Sequence, residues 1–462
     1  MLQILVVSRP LACRFYGRWE QNYVLYSFRT QSVKSGIVTS QPTNVVDVPA
    51  AKRRSSPLLP IFLIVAVDIL GFTIILPLLP FYSERLGASP AVVGTIVSIY
   101  AFFQLIAGPI LGQLSDRFGR RPILLISQLG TFVGFIVLAF SSQLWMVFLA
   151  RALDGATAGN LTTAQAYISD VTKPEDRAKS FAIIGVAFGM GFLLGPAIAG
   201  FLARWGYQAP ILAACCLSFT SILCTFFLLP RREIVHEQNA SQGESGPGGK
   251  RLSLFSWGEY RRYFKNAALA RLLVRWALFA MSFATFMSGF ALFAERKYTW
   301  NGHRFGAHEI GYVFAFFGFI GIIMQGGLVG RMVKWLGEER VVMLGFLGPF
   351  VSYVALGFTH TVGQMLGVLA LGSIVGAGIR PALTSQITQS AGRREQGVII
   401  GLTQSIMSIA QIVAPIVGGL LIQKNWLAQW AIWAGLLSGL ALFVRNGAKP
   451  LTPTAAPETA VP

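Results

Sequence analysis

Long apolar runs separated by short polar connections dominate the chain. A helix crossing roughly 30 Å of hydrocarbon needs about 20 mostly apolar residues, and runs of that length recur twelve times. Six cover residues 58–82, 91–114, 122–141, 144–168, 178–203 and 209–229, and six more cover 268–294, 308–333, 340–358, 362–386, 396–422 and 427–445. The polar stretch between the sets contains Gln242-Gly243-Glu244-Ser245-Gly246-Pro247-Gly248-Gly249, a composition that buries no core and predicts a flexible linker. The expected architecture is an all-α integral membrane protein of twelve transmembrane helices. A six-helix bundle spans 56–229, a cytoplasmic linker 230–267, and a second bundle 268–445.

The two sets echo each other. Gly108, Gly112 and Gly119 recur 218 residues on as Gly326, Gly330 and Gly337, and Pro196 with Gly200 recurs 219 residues on as Pro415 with Gly419. Five positions in order, on corresponding helices, predict two homologous bundles, an arrangement that places the substrate site of many carriers at the repeat interface.

Composition agrees. The chain is 54% apolar and 12% charged with mean hydropathy +0.59, against about 25% charged in soluble domains, which excludes a soluble enzyme. A net charge of +19 would suit a nucleic-acid binder, but the basic residues are scattered between apolar blocks. Their placement gives orientation instead. Of 38 Lys and Arg, six (Arg85, Arg204, Arg296, Lys297, Arg304, Lys424) fall on one side and two (Arg151, Arg380) inside apolar segments, while the other thirty lie in the tails or toward the opposite side. Both termini are therefore expected in the cytoplasm, in a multi-pass protein of the bacterial inner (plasma) membrane. Residues 1–55 carry Arg9, Arg14, Arg18 and Arg29 with only Glu20 and Asp47 as acids, the composition of a basic disordered tail, of a transit peptide, or of a start site assigned too early. The end, 446–462, is expected to be a disordered tail. Cys13, Cys215, Cys216 and Cys224 show no metal or disulfide spacing and read as small buried hydrophobes.

Four stretches carry chemistry. Between the second and third spans runs Gly112-Gln-Leu-Ser-Asp116-Arg117-Phe-Gly119-Arg120-Arg121-Pro122. Its glycines permit close helix approach and a tight turn, and Asp116 can cap or pair across the loop. The second half has Lys334 where Asp116 would match, which predicts a degenerate counterpart. Asp68 lies about ten residues, or about 15 Å, into the first span. A carboxylate at that depth marks a functional site or a protonated, hydrogen-bonded structural acid. In the fourth span Arg151 and Asp154 share a helix face, either as a proton-handling pair beside Asp68 or as a self-neutralising ion pair. Gly155 and Gly159 form a surface for close packing. The fifth span has Gly191-Phe-Leu-Leu-Gly195-Pro196-Ala-Ile-Ala-Gly200, a bent and closely packed helix.

The loop around Asp116 resembles the signature of the major facilitator superfamily, and the Gly191–Gly200 stretch resembles the antiporter motif of that superfamily's drug exporters. Over residues 58–445 the chain is similar to the drug/proton antiporter branch and within it to tetracycline-resistance carriers. The resemblance implies a rocker-switch carrier that expels a drug-like compound or metabolite in exchange for protons, with Asp68 and Arg151 matching membrane-embedded charges of the family and the Asp116 loop latching the halves. The second half departs from it: Gly318-Phe-Ile-Gly-Ile-Ile-Met-Gln325 and Met343-Leu-Gly-Phe-Leu-Gly-Pro349 lack the eighth-helix histidine and ninth-helix aspartate of tetracycline carriers. His236, His303, His308 and His360 all fall in loops or at span ends, so the resemblance does not extend to tetracycline as cargo.

Arg380, in Gly376-Ala-Gly-Ile-Arg380-Pro381, meets an anionic substrate, or Asp68 and Asp154 across the cavity, or serves as a structural arginine near the cytoplasmic end. Tyr100, Gln104, Gln165, Gln325, Gln404 and Gln411 are further cavity candidates. There is no phosphate-cradling glycine loop and no metal-ligand spacing, so no cofactor or metal is expected and transport is not ATP-driven. The expected partners are a small-molecule substrate, protons and the lipid bilayer, without nucleic acid, for a monomeric chain. Alternatives on the same fold are an uptake symporter or uniporter, and a non-transporting sensor or scaffold.

Overall fold

The computed structural model describes residues 58–172, 177–229, 266–390 and 396–444. Both expected tails, and the linker apart from its last two residues, lie outside the described residues. The first half comprises α1 (Leu58–Ile75), α2 (Leu79–Arg85), α3 (Pro90–Phe118), α4 (Arg120–Ala139), α5 (Leu144–Ala156), α6 (Asn160–Val171), α7 (Arg177–Leu202), a 3-10 turn at Ala203–Trp205, and α8 (Gln208–Leu228). The second comprises α9 (Ala267–Lys297), a hairpin of β1 (Thr299–Trp300) and β2 (His303–Arg304), α10 (Ala307–Ile323), a π-helical turn at Met324–Leu328, α11 (Val329–Leu336), α12 (Glu338–Leu356), α13 (Val362–Gly376), α14 (Ile379–Gln389), α15 (Gln396–Gln423) and α16 (Leu427–Phe443).

With α1/α2, α5/α6, α10/α11 and α13/α14 taken as single segments, these are twelve successive segments. Among the described residues nine helices are long and apolar enough to cross a membrane, and α1/α2, bent by 42°, makes a tenth. The broken fourth segment and α16, at 17 residues, fall short of that length. Large apolar side chains such as Phe140, Trp145, Phe227 and Trp335 stay exposed on the helix surfaces, which water would penalise and lipid does not.

Four segments that read as continuous are interrupted, each for a local reason. Pro77 lies in the bend between α1 and α2 and removes a backbone donor. The fourth segment opens at Thr157–Gly159, where Ser127 of α4 donates to the Thr157 carbonyl and accepts from the Gly159 amide (2.9 Å). The eighth contains the π turn at Gly326 and Gly327, and the tenth pauses at Ala377–Gly378. The hairpin was not anticipated from sequence, although its turn is Asn301-Gly302, both at positive φ (48° and 84°), the dipeptide that favours two-residue hairpin loops. Of the cysteines, Cys215 is buried, Cys224 half-buried and Cys216 exposed; the expectation of burial fails for Cys216 because its helix turns that side outward.

Within the first bundle α1 packs on α7 and α8, α4 on α8, and α5 on α3 and α4; within the second α9 packs on α15 and α16, and α12 on α13 and α16. Two helix pairs make the most extensive contacts between the bundles, α3 with α15 and α7 with α10. They repeat one contact. A Cβ on Gly419 of α15 would strike Pro90 and Ala91 of α3, and one on Gly200 of α7 would strike His308 and Gly311 of α10. Gly119 and Gly337, the repeat glycines that end α3 and α11, share one conformation, φ/ψ 96°/158° and 82°/157°, which disfavours any side chain.

Candidate functional site

The first bundle holds a polar group in its interior. Asp68 on α1 has a buried carboxyl oxygen, Oδ2, without a hydrogen-bond partner; Ser221, Asn160 and Asp154 lie close enough to act on it. Asp154 and Arg151 on α5, 4% and 3% exposed, pair at 3.1 Å. Thr131 lies beside the Asp154 carboxyl, and Gly134 lets α4 come close enough for Asp154 to fit against it. The Arg151 guanidinium rests between the rings of Tyr100 (5.8 Å) and Phe135 (5.9 Å), and its Nε has no hydrogen-bond partner. Gly155 brings α5 onto the Tyr100 backbone and Gly159 seats against Leu111, so both small residues pack on α3. Gln104 donates to the Tyr100 hydroxyl (3.1 Å), and Phe72 flanks the same ring at 5.9 Å.

The glycines of α7 serve two neighbours. Gly191 and Gly195 face Ile69 and Thr73 of α1, and Thr73 donates to the Gly191 carbonyl at 2.8 Å. Pro196 and Gly200 face Gly311 in the other bundle. One stretch therefore fixes α7 both to the helix that carries Asp68 and to the opposite half.

At the end of α3, Asp116 pairs with Arg120 at 2.5 Å, and Arg120 also reaches Asp170 (2.7 Å) and Ser115 (2.7 Å). Arg121 donates to the Phe226 carbonyl at the end of α8. Arg117 occupies the last turn of α3. Gly119 makes the turn, as expected, but a Cβ on Gly112 would meet nothing within 4 Å, so the expected close helix approach there is absent in this conformation. The second half is inverted in sign rather than degenerate. Lys334, Glu338 and Glu339 stand where Asp116, Arg120 and Arg121 stand in the first. Arg275, buried in α9, holds Glu339 at 2.9 Å and donates to the Val444 carbonyl at the end of α16 (2.9 Å), while Ser385 donates to Glu338 (2.8 Å).

Hydrogen bonds and ion pairs that join the bundles gather at the end that carries Arg85, Arg204 and Lys424. There Arg296 pairs with Glu84 at 2.5 Å, Ser98 donates to the Ile412 carbonyl (2.6 Å), Ser89 to Gln423 (3.3 Å), and Arg204 to Tyr312 (3.1 Å). Burial pushes up the two phenols at this end that lie outside the spans, Tyr207 and Tyr298, the latter to about 12, so both stay neutral. Toward the other end, a Cβ on Gly108, Gly112, Gly326 or Gly330 would meet open space.

The structure thus brings Asp68, Arg151, Asp154, Tyr100 and Gln104 together. Gln165 and Gln411 are half-buried and Gln325 and Gln404 exposed, and none of their side chains has a hydrogen-bond partner among the described residues. Arg380 meets neither Asp68 nor Asp154; its guanidinium lies 5.8 Å from the Phe188 ring of α7. Sequence reasoning missed Ser127, Thr73, Arg275 with Glu339, and Glu84 with Arg296. Only Arg275 and Glu339 left a signal, as charges at the edge of apolar runs.

A sequence model of the Major Facilitator Superfamily matches residues 61–415 and again 306–460. Tetracycline resistance protein, class B, of Escherichia coli is 30% identical over 385 residues, 82% of this chain and 91% of that protein. Multidrug resistance protein 2 of Bacillus subtilis (strain 168) is 26% identical over 364 residues, 78% of this chain and 87% of that protein. Among solved structures, the human organic anion transporter MFSD10 (TETRAN) aligns with TM-score 0.62 at 22% identity, covering 85% of this chain and 100% of that one, a likeness that bears on the fold alone.

Proposed function

The chain belongs to the major facilitator superfamily, and we propose that it is a proton-coupled antiporter exporting a small amphipathic drug-like compound or metabolite across the bacterial inner membrane, with both termini cytoplasmic. It is a multi-pass membrane transporter and not an enzyme. The observation that carries the proton-coupled reading is Asp68: a carboxyl oxygen sealed inside the first bundle without a hydrogen-bond partner, beside Asp154 and its cation Arg151. An embedded carboxyl kept in such a place is a natural site for a transported proton. Arg151, held between two aromatic faces, sets the balance between the two acids.

Alternating access follows from the two bundles, 56–229 and 268–445, rocking about the α3–α15 and α7–α10 contacts. With contacts gathered at the Arg204 end, the interior is open toward the Asp116 loop, the cytoplasmic side in this orientation, where an exporter loads its cargo. Tyr100 and Gln104 line that interior beside the charged group, with Gln165, Gln325 and Gln404 as further lining. In the reverse state the gap beside Gly112 closes and the Asp116 loop latches the halves. Export of a drug-like compound draws support from the resistance proteins among the relatives.

The test is reconstitution in liposomes with a trapped pH dye, an imposed proton gradient, and a panel of cationic, zwitterionic and anionic drugs. A compound that dissipates the gradient through wild type but not through Asp68→Asn supports the reading. Equilibration of a compound without proton movement makes the protein a uniporter, and proton flux in the same direction as cargo makes it a symporter.

A further inference from the structure

Three arginines of the described helices show how such a charge is met here. Arg151 has Asp154, and Arg275 has Glu339 and the Val444 carbonyl. Arg121, at the end of its helix, has the Phe226 carbonyl. Arg380 has no hydrogen-bond or ion-pair partner among the described residues, and no acid acts on it electrostatically. It is the second residue of α14, nine residues from the end of that helix at Gln389, or about 14 Å at 1.5 Å per residue. An arginine serving only to anchor a helix end would hold a terminal carbonyl, as Arg121 and Arg275 do.

The side chain is exposed, yet it does not face away from the protein. Its guanidinium lies over Phe188 of α7, in the opposite bundle, so it reaches into the space between the halves. Phe188 stacks on Phe192 of the same helix, with ring centroids 6.5 Å apart and planes 20° apart. Behind Arg380, the break at Gly378 is packed onto Val341 of α12, which fixes the start of α14. The result is a fork of five N–H donors beside a two-ring apolar wall, in a region where an uncompensated charge is costly.

We propose that Arg380 is the recognition group for an anionic cargo, a carboxylate or sulfonate on a planar aromatic or amphipathic body. The guanidinium takes the anion through paired N–H donors, and the Phe188–Phe192 face takes the apolar part. The proposal rests on the reading of the chain as a carrier; it adds the charge of the substrate.

Isothermal titration of the full-length protein in nanodiscs tests it with a matched bicyclic series: naphthoate and naphthalenesulfonate as anions, naphthol as the neutral member, methylquinolinium as the cation. The anions bind wild type more tightly than naphthol or methylquinolinium. Arg380→Gln weakens the anions by about tenfold or more and leaves naphthol within about twofold, while Arg380→Lys keeps part of the preference. Gel filtration and thermal melting establish that the variants are folded; if Arg380→Gln is not, the ranking in wild type decides alone. Anions that fail to bind wild type, that bind no more tightly than the neutral and cationic members, or that bind a folded Arg380→Gln equally well overturn the proposal. Arg380-dependent anion binding in a protein whose proton flux ignores Asp68 overturns the exchange reading and leaves this one standing.

Discussion

Arg204 Nη2 lies 3.3 Å from His308 Nε2, across the junction of the two bundles. The other ring nitrogen, Nδ1, lies 2.7 Å from the Gly200 carbonyl oxygen. A guanidinium cannot accept a hydrogen bond and a carbonyl cannot donate one, so the ring is neutral, with its hydrogen on Nδ1. The remaining polar neighbours are Tyr312, whose ring meets the imidazole edge-on, and Glu309, which is occupied with the Gly306 amide.

The junction depends on that Nε2 acceptor, and a cation in its place would repel Arg204. Spin labels at Ser142 and His360, in a background lacking the native cysteines, should report longer distances in His308→Lys than in wild type. His308→Gln retains an acceptor, and its distances should match wild type. Wild-type distances in His308→Lys refute the assignment.

The Glu84–Arg296 pair also bridges the bundles, with side chains 19% and 24% exposed. At that exposure a single pair contributes about 1 kcal/mol or less. Arg296→Gln should raise the labelling rate of a cysteine placed at Ser89 by up to about fivefold, and the exchange Glu84→Arg with Arg296→Glu should recover part of the loss. Unchanged labelling in both variants would mean the pair contributes nothing to closure.

Two glycines of the recognised motifs should behave oppositely. A Cβ on Gly195 would overlap Thr73 Oγ1, whereas one on Gly112 meets open space. Gly195→Ala should lower stability by about 1–3 kcal/mol, seen as a fall in melting temperature in detergent, and Gly112→Ala should melt like wild type in this conformation. Transport by Gly112→Ala should nevertheless slow, since the opposite state brings helices together there. Equal melting of all three proteins contradicts the packing described for α7.

If an anion leaves as a proton enters, both movements carry charge the same way, worth about 2.3 kcal/mol per charge per 100 mV. Export of naphthalenesulfonate from proteoliposomes should accelerate when valinomycin and potassium set the cytoplasmic side negative. A rate indifferent to potential excludes an electrogenic exchange of this kind.

Much of this was legible from the chain. The spans show in sequence because apolar runs of that length have few other uses. Arg151 and Asp154 were legible as a pair because their spacing puts them on one helix face. The breaks were harder: the opening at Thr157–Gly159 is completed by Ser127, which lies 30 residues earlier on another helix. Glu84 and Arg296 are 212 residues apart, and each looks like an ordinary polar residue at a span end. The second-half corner is hard to read for a different reason: its acids stand at Glu338 and Glu339 rather than at the position of Lys334, and the cation that meets Glu339 is Arg275, 64 residues earlier. Arg380 was visible as a charge inside an apolar run, but its lack of an acidic partner depended on how the bundles are set together.

The inverted corners also bear on how the halves part. Arg120 finds its counter-charges, Asp116 and Asp170, inside the first bundle, and Glu339 finds Arg275 inside the second. Each corner is neutralised within its own half, so separation of the bundles at this end breaks neither of these ion pairs.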